Sequence, residues 1–360
     1  MNITRISSNR SVRRGFVASV IGAALLAVGA CGTTATDAVG TDVDTTDGPR
    51  TSVPPSTGPT LTRTPPTAPP TTPPTIETPA HPPATTVAPS TAAPATSITL
   101  PDEPARPVAT LDQVISIRGT GMHIRCSGGG DTTVLLIAGF EAGADGWAVV
   151  EPALTPSTRV CSYDRPGTGA SDPAVTTQTF ATQAVDLHDL LVAAGEPGPY
   201  VVVGHSMGGG EAVVFASEYD DEVSGLVLVD ASPVDWPAAI CAVADDGSDA
   251  ARFLLGLCST SFLPSGNTER LDVVPAFAVA AEVTSLGSLP MSVITAVDRE
   301  VPDGLAAEER ARLTDVWDRG QQQWSRLSTA GRVVSVDETG HYIQFDRPEI
   351  VIDEITRLLP

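Results

Sequence analysis

The chain has 360 residues, with 43 acidic side chains against 21 lysines and arginines and a formal charge of −22 at pH 7. That acidic excess argues against nucleic acid as a partner and against a polybasic membrane contact, both of which need basic surface. It favours solubility and is silent about fold.

The first thirty residues read as an export signal. Arg5, Arg10, Arg13 and Arg14 form a basic start without an acidic residue, an apolar run covers residues 16–28, and Gly29-Ala30 precede Cys31. The run is short for a spanning helix, and its flanks are those of a signal peptide over residues 1–30. Removing its four arginines takes the charge from −22 to −26. Val28-Gly29-Ala30-Cys31 resembles a bacterial lipobox. The resemblance implies lipidation of Cys31 and a lipid anchor on the outer face of a bacterial cytoplasmic membrane. An ordinary secretory cleavage, leaving the protein in the cell wall or outside the cell, is the alternative. Arg13-Arg14-Gly15-Phe16-Val17 is also similar to a twin-arginine signal, so Sec and Tat export both stay open.

Residues 31–108 are a Thr/Pro-rich linker. Of the chain's 32 prolines, 18 lie between Pro49 and Pro107, and no aromatic residue occurs between Phe16 and Phe140. Such a segment cannot bury enough apolar surface to offset its ordering entropy, and its prolines favour an extended form. The expectation is a disordered stalk carrying the domain away from the membrane.

Residues 109–360 suit one α/β domain. Strands at 114–117 and 123–126 alternate like a hairpin around Gly119-Thr120-Gly121. Continuous apolar runs at 134–138 and 200–203 suit strands buried on both faces. Further strands are expected at 159–163, 226–229, 291–296 and 332–336, with helices over 180–194 (ended by Gly195), 209–219 and 350–359. Strand–helix alternation predicts a mostly parallel sheet with helices on both faces. An insertion at about 232–289 would form a small lid over the sheet's carboxyl edge. Its Trp236, Phe253, Leu254, Leu255, Leu257, Phe262, Leu263 and Phe277 either line an apolar inner face or build the lid's own core. Trp317 and Trp324, seven apart, fall on one buried helix face. With Cys31 taken by lipid, Cys126, Cys161, Cys241 and Cys258 allow three pairings. Cys126–Cys161, tying two strands, and Cys241–Cys258, closing a short loop, are preferred in an oxidising compartment; buried free thiols are the alternative. No C-x-x-C or histidine pair accompanies them, so no metal is expected.

Gly204-His205-Ser206-Met207-Gly208 follows the apolar run at 201–203 and opens a small-residue helix. This is G-x-S-x-G on strand–turn–helix, the nucleophile elbow. With Gly139-Phe140 after a buried strand, Tyr163-Asp164-Arg165-Pro166-Gly167-Thr168-Gly169-Ala170-Ser171 and Gly340-His341, the chain resembles α/β-hydrolase-fold serine hydrolases of the esterase and peptidase-like branch. The resemblance implies Ser206 as nucleophile and, in the order Ser…acid…His, His341 as base. His81 falls in the linker, His123 in the hairpin, His188 on a helix, and His205 should point away from Ser206. The acid is left between Asp230, at the end of a strand, and Asp298, in Thr295-Ala296-Val297-Asp298-Arg299, where relatives have Gly-x-x-Asp; Asp303 is a remaining option. The oxyanion hole would use the backbone N–H groups of Phe140 and Met207. Asp164 and Arg165 are expected to pin a loop beside the elbow, and residues 141–147 to form a mobile rim over a packed Trp147.

The expected function is an extracytoplasmic carboxylic ester hydrolase acting through an acyl-enzyme on a small ester or acyl substrate, with no cofactor. Alternatives are an amidase or aminopeptidase-like enzyme, an acyltransferase or haloperoxidase-like enzyme of the same fold, or a non-catalytic envelope-binding lipoprotein. Epoxide hydrolases and haloalkane dehalogenases, similar enzymes, use aspartate where this chain has Ser206. Oligomeric state is not legible.

Overall fold

The computed structural model describes residues 3–6, 110–299 and 301–360; the expected cleavage site, Cys31 and the linker lie outside the described residues. Among the described residues nine strands form one sheet. They are β1 (Ile3–Ile6), β2 (Leu111–Ile117), β3 (Thr120–Ser127), β4 (Thr133–Ile137), β5 (Arg159–Tyr163), β6 (Tyr200–His205), β7 (Val223–Val229), β8 (Met291–Ala296) and β9 (Gly331–Val336). Their order is β1-β9-β8-β7-β6-β4-β5-β3-β2. Neighbours from β9 through to β5 are parallel, and β3 runs antiparallel to both β5 and β2. The backbone of β1 lies parallel to β9, with Ile3 opposite Val333 and Ile6 opposite Val336. A strand is not what the composition of residues 1–30 predicts; the other eight follow the alternation of residues 109–360.

The helices are α1 (Glu151–Leu154), α2 (Phe180–Ala194), α3 (Gly208–Glu218), α4 (Trp236–Cys241), α5 (Asp249–Gly256), α6 (Val273–Glu282), α7 (Ala307–Ser325), α8 (Ile343–Asp346) and α9 (Pro348–Thr356). Strand side chains alternate between two cores, as the period of two requires. Val202, Leu226, Leu228 and Val293 join α2, α3 and α6 on one face, whereas Val201, Val203, Val227 and Ile294 meet Trp147, Leu154 and α9 on the other. Each fully buried aliphatic side chain there contributes roughly 1.5–3 kcal/mol. Trp317 and Trp324 are both buried on α7 as their spacing predicts.

Three local differences from the sequence reading have physical causes. The hairpin turns at Arg118-Gly119, both with positive φ (48° and 86°), so Thr120 and Gly121 already belong to β3. A two-residue turn of that hand matches the twist of its strands. The rim is held in place: residues 144–147 form a 3₁₀ turn whose Ala144 N–H is bonded by Asp164 at 2.7 Å, over a fully buried Trp147. Finally, β7 begins at Val223, because Val223 pairs with Tyr200 and Gly225 with Val201 on β6, with Ser224 at a register shift between them.

The insertion between β7 and β8 holds α4, α5, a π-helical turn (Leu257–Ser261) and α6. Leu254, Phe262 and Phe277 are buried and continuous with the core on the α2 and α3 face of the sheet, Phe277 meeting Phe180 edge-on with ring centroids 5.0 Å apart, while Phe253 and Leu263 stay exposed. The disulfides are Cys126–Cys161, directly opposite across β3 and β5, and Cys241–Cys258, joining α4 to the π-helical turn.

Candidate active site

Ser206 sits where β6 turns into α3. Its φ is 54°, a left-handed conformation costing about 1–3 kcal/mol in a non-glycine residue. The turn is possible because β6 and α3 pack without intervening side chains. A Cβ on Gly208 would stand 2.2 Å from the Ala138 carbonyl oxygen, and one on Gly204 would stand 2.5 Å from the Gly208 carbonyl oxygen. Ser206 Oγ lies 2.9 Å from His341 Nε2, and His341 Nδ1 lies 2.8 Å from Asp230 Oδ2. His341 comes from the loop between β9 and α8. The three side chains form a continuous hydrogen-bonded line from hydroxyl to imidazole to carboxylate. Such a line can pass the serine proton to the imidazole while the carboxylate fixes the tautomer.

Asp230 leaves the end of β7 with φ 40°, which turns its fully buried carboxylate toward His341. Its Oδ1 accepts from Thr295 Oγ1, the Ala296 N–H and Trp317 Nε1, each at 3.2 Å, and its Oδ2 also faces Arg299 Nε at 3.3 Å. Burial alone would raise the pKa of this carboxyl. The His341 bond, the Arg299 charge and the Ala296 N–H outweigh that and hold it below its ordinary value. Asp298 does not reach His341; its carboxylate accepts the Glu338 N–H at 2.8 Å. Asp303 is exposed beside Arg310. Where the Gly-x-x-Asp pattern would place its aspartate, counting from Ala296, stands Arg299, which turns back onto Asp230 and lies 4.6 Å from the Trp317 ring.

His205 points away from Ser206, as expected, and its Nε2–H donates to the His341 carbonyl at 3.0 Å. Burial, then the neighbouring His341, pushes its pKa down to about 3, so it is neutral at all ordinary pH. His123 bridges Asp164 (2.8 Å) and Asp112 (2.9 Å), and His188 stacks on Tyr219. Phe140 and Met207 flank the serine: Met207 follows it in sequence, and a Cβ on Gly139 would stand 3.2 Å from Ser206 Cβ. Arg165, buried, donates to the carbonyls of Ala138 at 2.9 Å and Gly139, pinning this loop beside the elbow. Among the described residues, the group close enough to share a metal ion is Cys126, Cys161 and Glu196, and its two sulfurs are bonded to each other.

A family model for the alpha/beta hydrolase fold matches residues 132–253. A probable hydrolytic enzyme from Pseudomonas aeruginosa superposes on 71% of this chain and 95% of its own, with TM-score 0.50 and 23% identity. The chain has the α/β-hydrolase fold. An uncharacterized protein of Schizosaccharomyces pombe is 41% identical over 106 residues, 29% of this chain and 19% of that protein. A 2-hydroxy-6-oxononadienedioate/2-hydroxy-6-oxononatrienedioate hydrolase of Dechloromonas aromatica is 36% identical over 113 residues, 30% of this chain and 39% of that enzyme. The match thus spans less than half the length of either of these two relatives.

Within this α/β-hydrolase fold, sequence reasoning missed the groups that surround the three aligned side chains. The seven-residue spacing of Trp317 and Trp324 predicts only burial, yet the Trp317 indole N–H meets Asp230. Ser232 Oγ lies 3.5 Å from Ser206 Oγ, and Gln321 bonds the Ala231 carbonyl at 2.8 Å. The sequence carries no local signal for the Trp317 and Gln321 contacts, because α7 reaches the site from more than eighty residues away.

Proposed function

We propose that the chain is an extracytoplasmic serine hydrolase, a carboxylic ester hydrolase with Ser206 as nucleophile, His341 as base and Asp230 as acid. The observation that carries the reading is the unbroken Ser206–His341–Asp230 hydrogen-bonded line at the elbow. In the reaction Ser206 Oγ bonds the acyl carbon while its proton passes to His341 Nε2. The oxyanion is held by the Phe140 and Met207 N–H groups. His341 then gives the proton to the departing alkoxide, and water, activated by His341, releases the acid and regenerates the serine. Asp230 holds the imidazole throughout and balances its transient charge.

The location belongs to the same proposal. Export by residues 1–30, lipidation at Cys31 and a stalk over 31–108 rest on sequence pattern alone. A Cys31→Ala variant expressed in a bacterium that lipidates such signals should lose both incorporation of an alkyne fatty acid and sedimentation with membranes. Unchanged fractionation would remove the anchor from the account.

Turnover of p-nitrophenyl esters of increasing chain length, beside the matched anilides, tests the chemistry. The ester reading expects ester hydrolysis that Ser206→Ala abolishes and anilide rates far lower. Preference for the anilides would make the protein an amidase. The similarity to a 2-hydroxy-6-oxononadienedioate hydrolase adds that substrate class to the panel.

A further inference from the structure

Glu269 lies in the insertion ahead of α6, is 1% exposed, and grips Arg165 with both oxygens: Oε2 accepts from Nε at 2.9 Å and Oε1 from Nη2 at 3.1 Å. Gln183 Nε2 adds a bond at 3.2 Å, and the Glu141 N–H donates to Glu269 Oε1. Arg165 in turn donates to the Ala138 and Gly139 carbonyls and, at 3.2 Å, to Glu211 on α3. Both peptide units around Phe140 are therefore held by one ion pair. Arg165 takes the Gly139 carbonyl before Phe140, and Glu269 takes the Glu141 N–H after it. A trans peptide points its N–H opposite its carbonyl. Gripping the Gly139 carbonyl thus turns the Phe140 N–H away from the guanidinium.

The segment bearing Glu269 is itself docked on the body. Thr268 N–H donates to Glu141 Oε1 at 2.8 Å, returning the contact that Glu269 makes to Glu141. Gln178 N–H donates to the Arg270 carbonyl and Asp272 N–H to the Gln178 carbonyl, both at 3.0 Å. A Cβ on Gly167, whose φ is 88°, would stand 2.0 Å from the Thr268 carbonyl oxygen, so the loop after β5 presses directly on this backbone.

We propose that Glu269 is a positioning residue for the oxyanion hole: through Arg165 and the Glu141 N–H, this docked piece of the insertion aligns the Phe140 N–H with the oxyanion. The proposal rests on the serine-hydrolase reading. It makes the insertion part of the catalytic framework as well as a cover over the sheet edge. Losing one oxyanion donor outright costs roughly 10²–10³ in kcat. Misaligning a retained donor should cost about 10- to 100-fold.

The test compares the full chain with Glu269→Ala and Glu269→Gln. Active sites are counted by fluorophosphonate titration, kcat and KM are measured on a p-nitrophenyl ester, and Ki is measured for a trifluoromethyl ketone of the same acyl length, which forms a tetrahedral adduct. In Glu269→Ala, kcat per titrated site should fall about 10- to 100-fold with KM within about twofold. The ketone Ki should rise by the factor that kcat/KM falls. Glu269→Gln, which keeps an acceptor for the Glu141 N–H, should recover part of both. If the alanine variant fails to fold, the glutamine variant decides by the same readouts. Titrated molecules with wild-type kcat and Ki would overturn the proposal and leave Glu269 a purely structural residue. A wild type that does not react with fluorophosphonate overturns the serine-hydrolase reading, and this proposal with it.

Discussion

At the scale of single residues, the contacts of Asp230 separate it from the other acidic candidates. Its carboxylate is buried among one indole, one hydroxyl, one backbone N–H, one guanidinium and the imidazole. Asp230→Asn keeps the shape and presents an amide to His341, so kcat should drop about 10⁴-fold with the fold intact. Asp298→Asn, at a carboxylate that accepts the Glu338 N–H and not the His341 imidazole, should leave kcat within about twofold. Equal losses in the two variants would remove Asp230 from the triad. His205 gives a second residue-scale prediction. Its folded pKa of about 3 lies below the ordinary 6.5, so between those values the unfolded chain binds a proton that the native protein refuses. The stability it supports is complete above pH 6.5 and is lost as pH falls toward 3, at up to about 1.4 kcal/mol per unit. Urea midpoints of wild type and His205→Gln, taken at pH 7 and pH 5, should show the wild type losing more on acidification. Parallel losses would show that His205 is not held neutral.

At the scale of elements, the junction of β6 with α3 decides whether the nucleophile is presented. Gly208→Ala would drive a methyl group to 2.2 Å from the Ala138 oxygen, on the loop after β4 that also carries Phe140. It should lower stability by about 1–3 kcal/mol and impair turnover; an unchanged urea midpoint would mean that the junction is looser than described. This junction was legible in the sequence because strand, turn and helix each leave a local mark: an apolar run, G-x-S-x-G and small residues. The doubly buried strands β4, β5 and β8 were legible for the same reason. The choice of acid was not. Asp230 and Asp298 both follow apolar strands, and what separates them is the left-handed turn at Asp230 together with Arg299 and Trp317, which arrive from distant sequence. The held rim was equally hidden, since Asp164 reaches Ala144 across the sheet edge rather than along the chain. Glu269 falls between helices in an insertion with no repeating pattern, so only its fold-level position against Arg165 reveals it.

At the scale of the whole molecule, among the described residues both cores draw on side chains from Leu111 onward. A chain beginning at residue 109 should therefore unfold in one cooperative urea transition and keep the kcat of the full chain. A broad transition or a large loss of kcat would mean that β1 beside β9 contributes to the folded protein. The two disulfides fit the location outside the cytoplasm proposed for this protein. All of this depends on Ser206 being an activated nucleophile. The most direct measurement is fluorophosphonate labelling of the purified full chain, with the adduct located by peptide mass analysis, beside Ser206→Ala and His341→Ala. The account predicts stoichiometric label on Ser206 in the wild type, none in Ser206→Ala and a rate reduced by orders of magnitude in His341→Ala. A folded wild type that takes no label, or carries it on another residue, would contradict it.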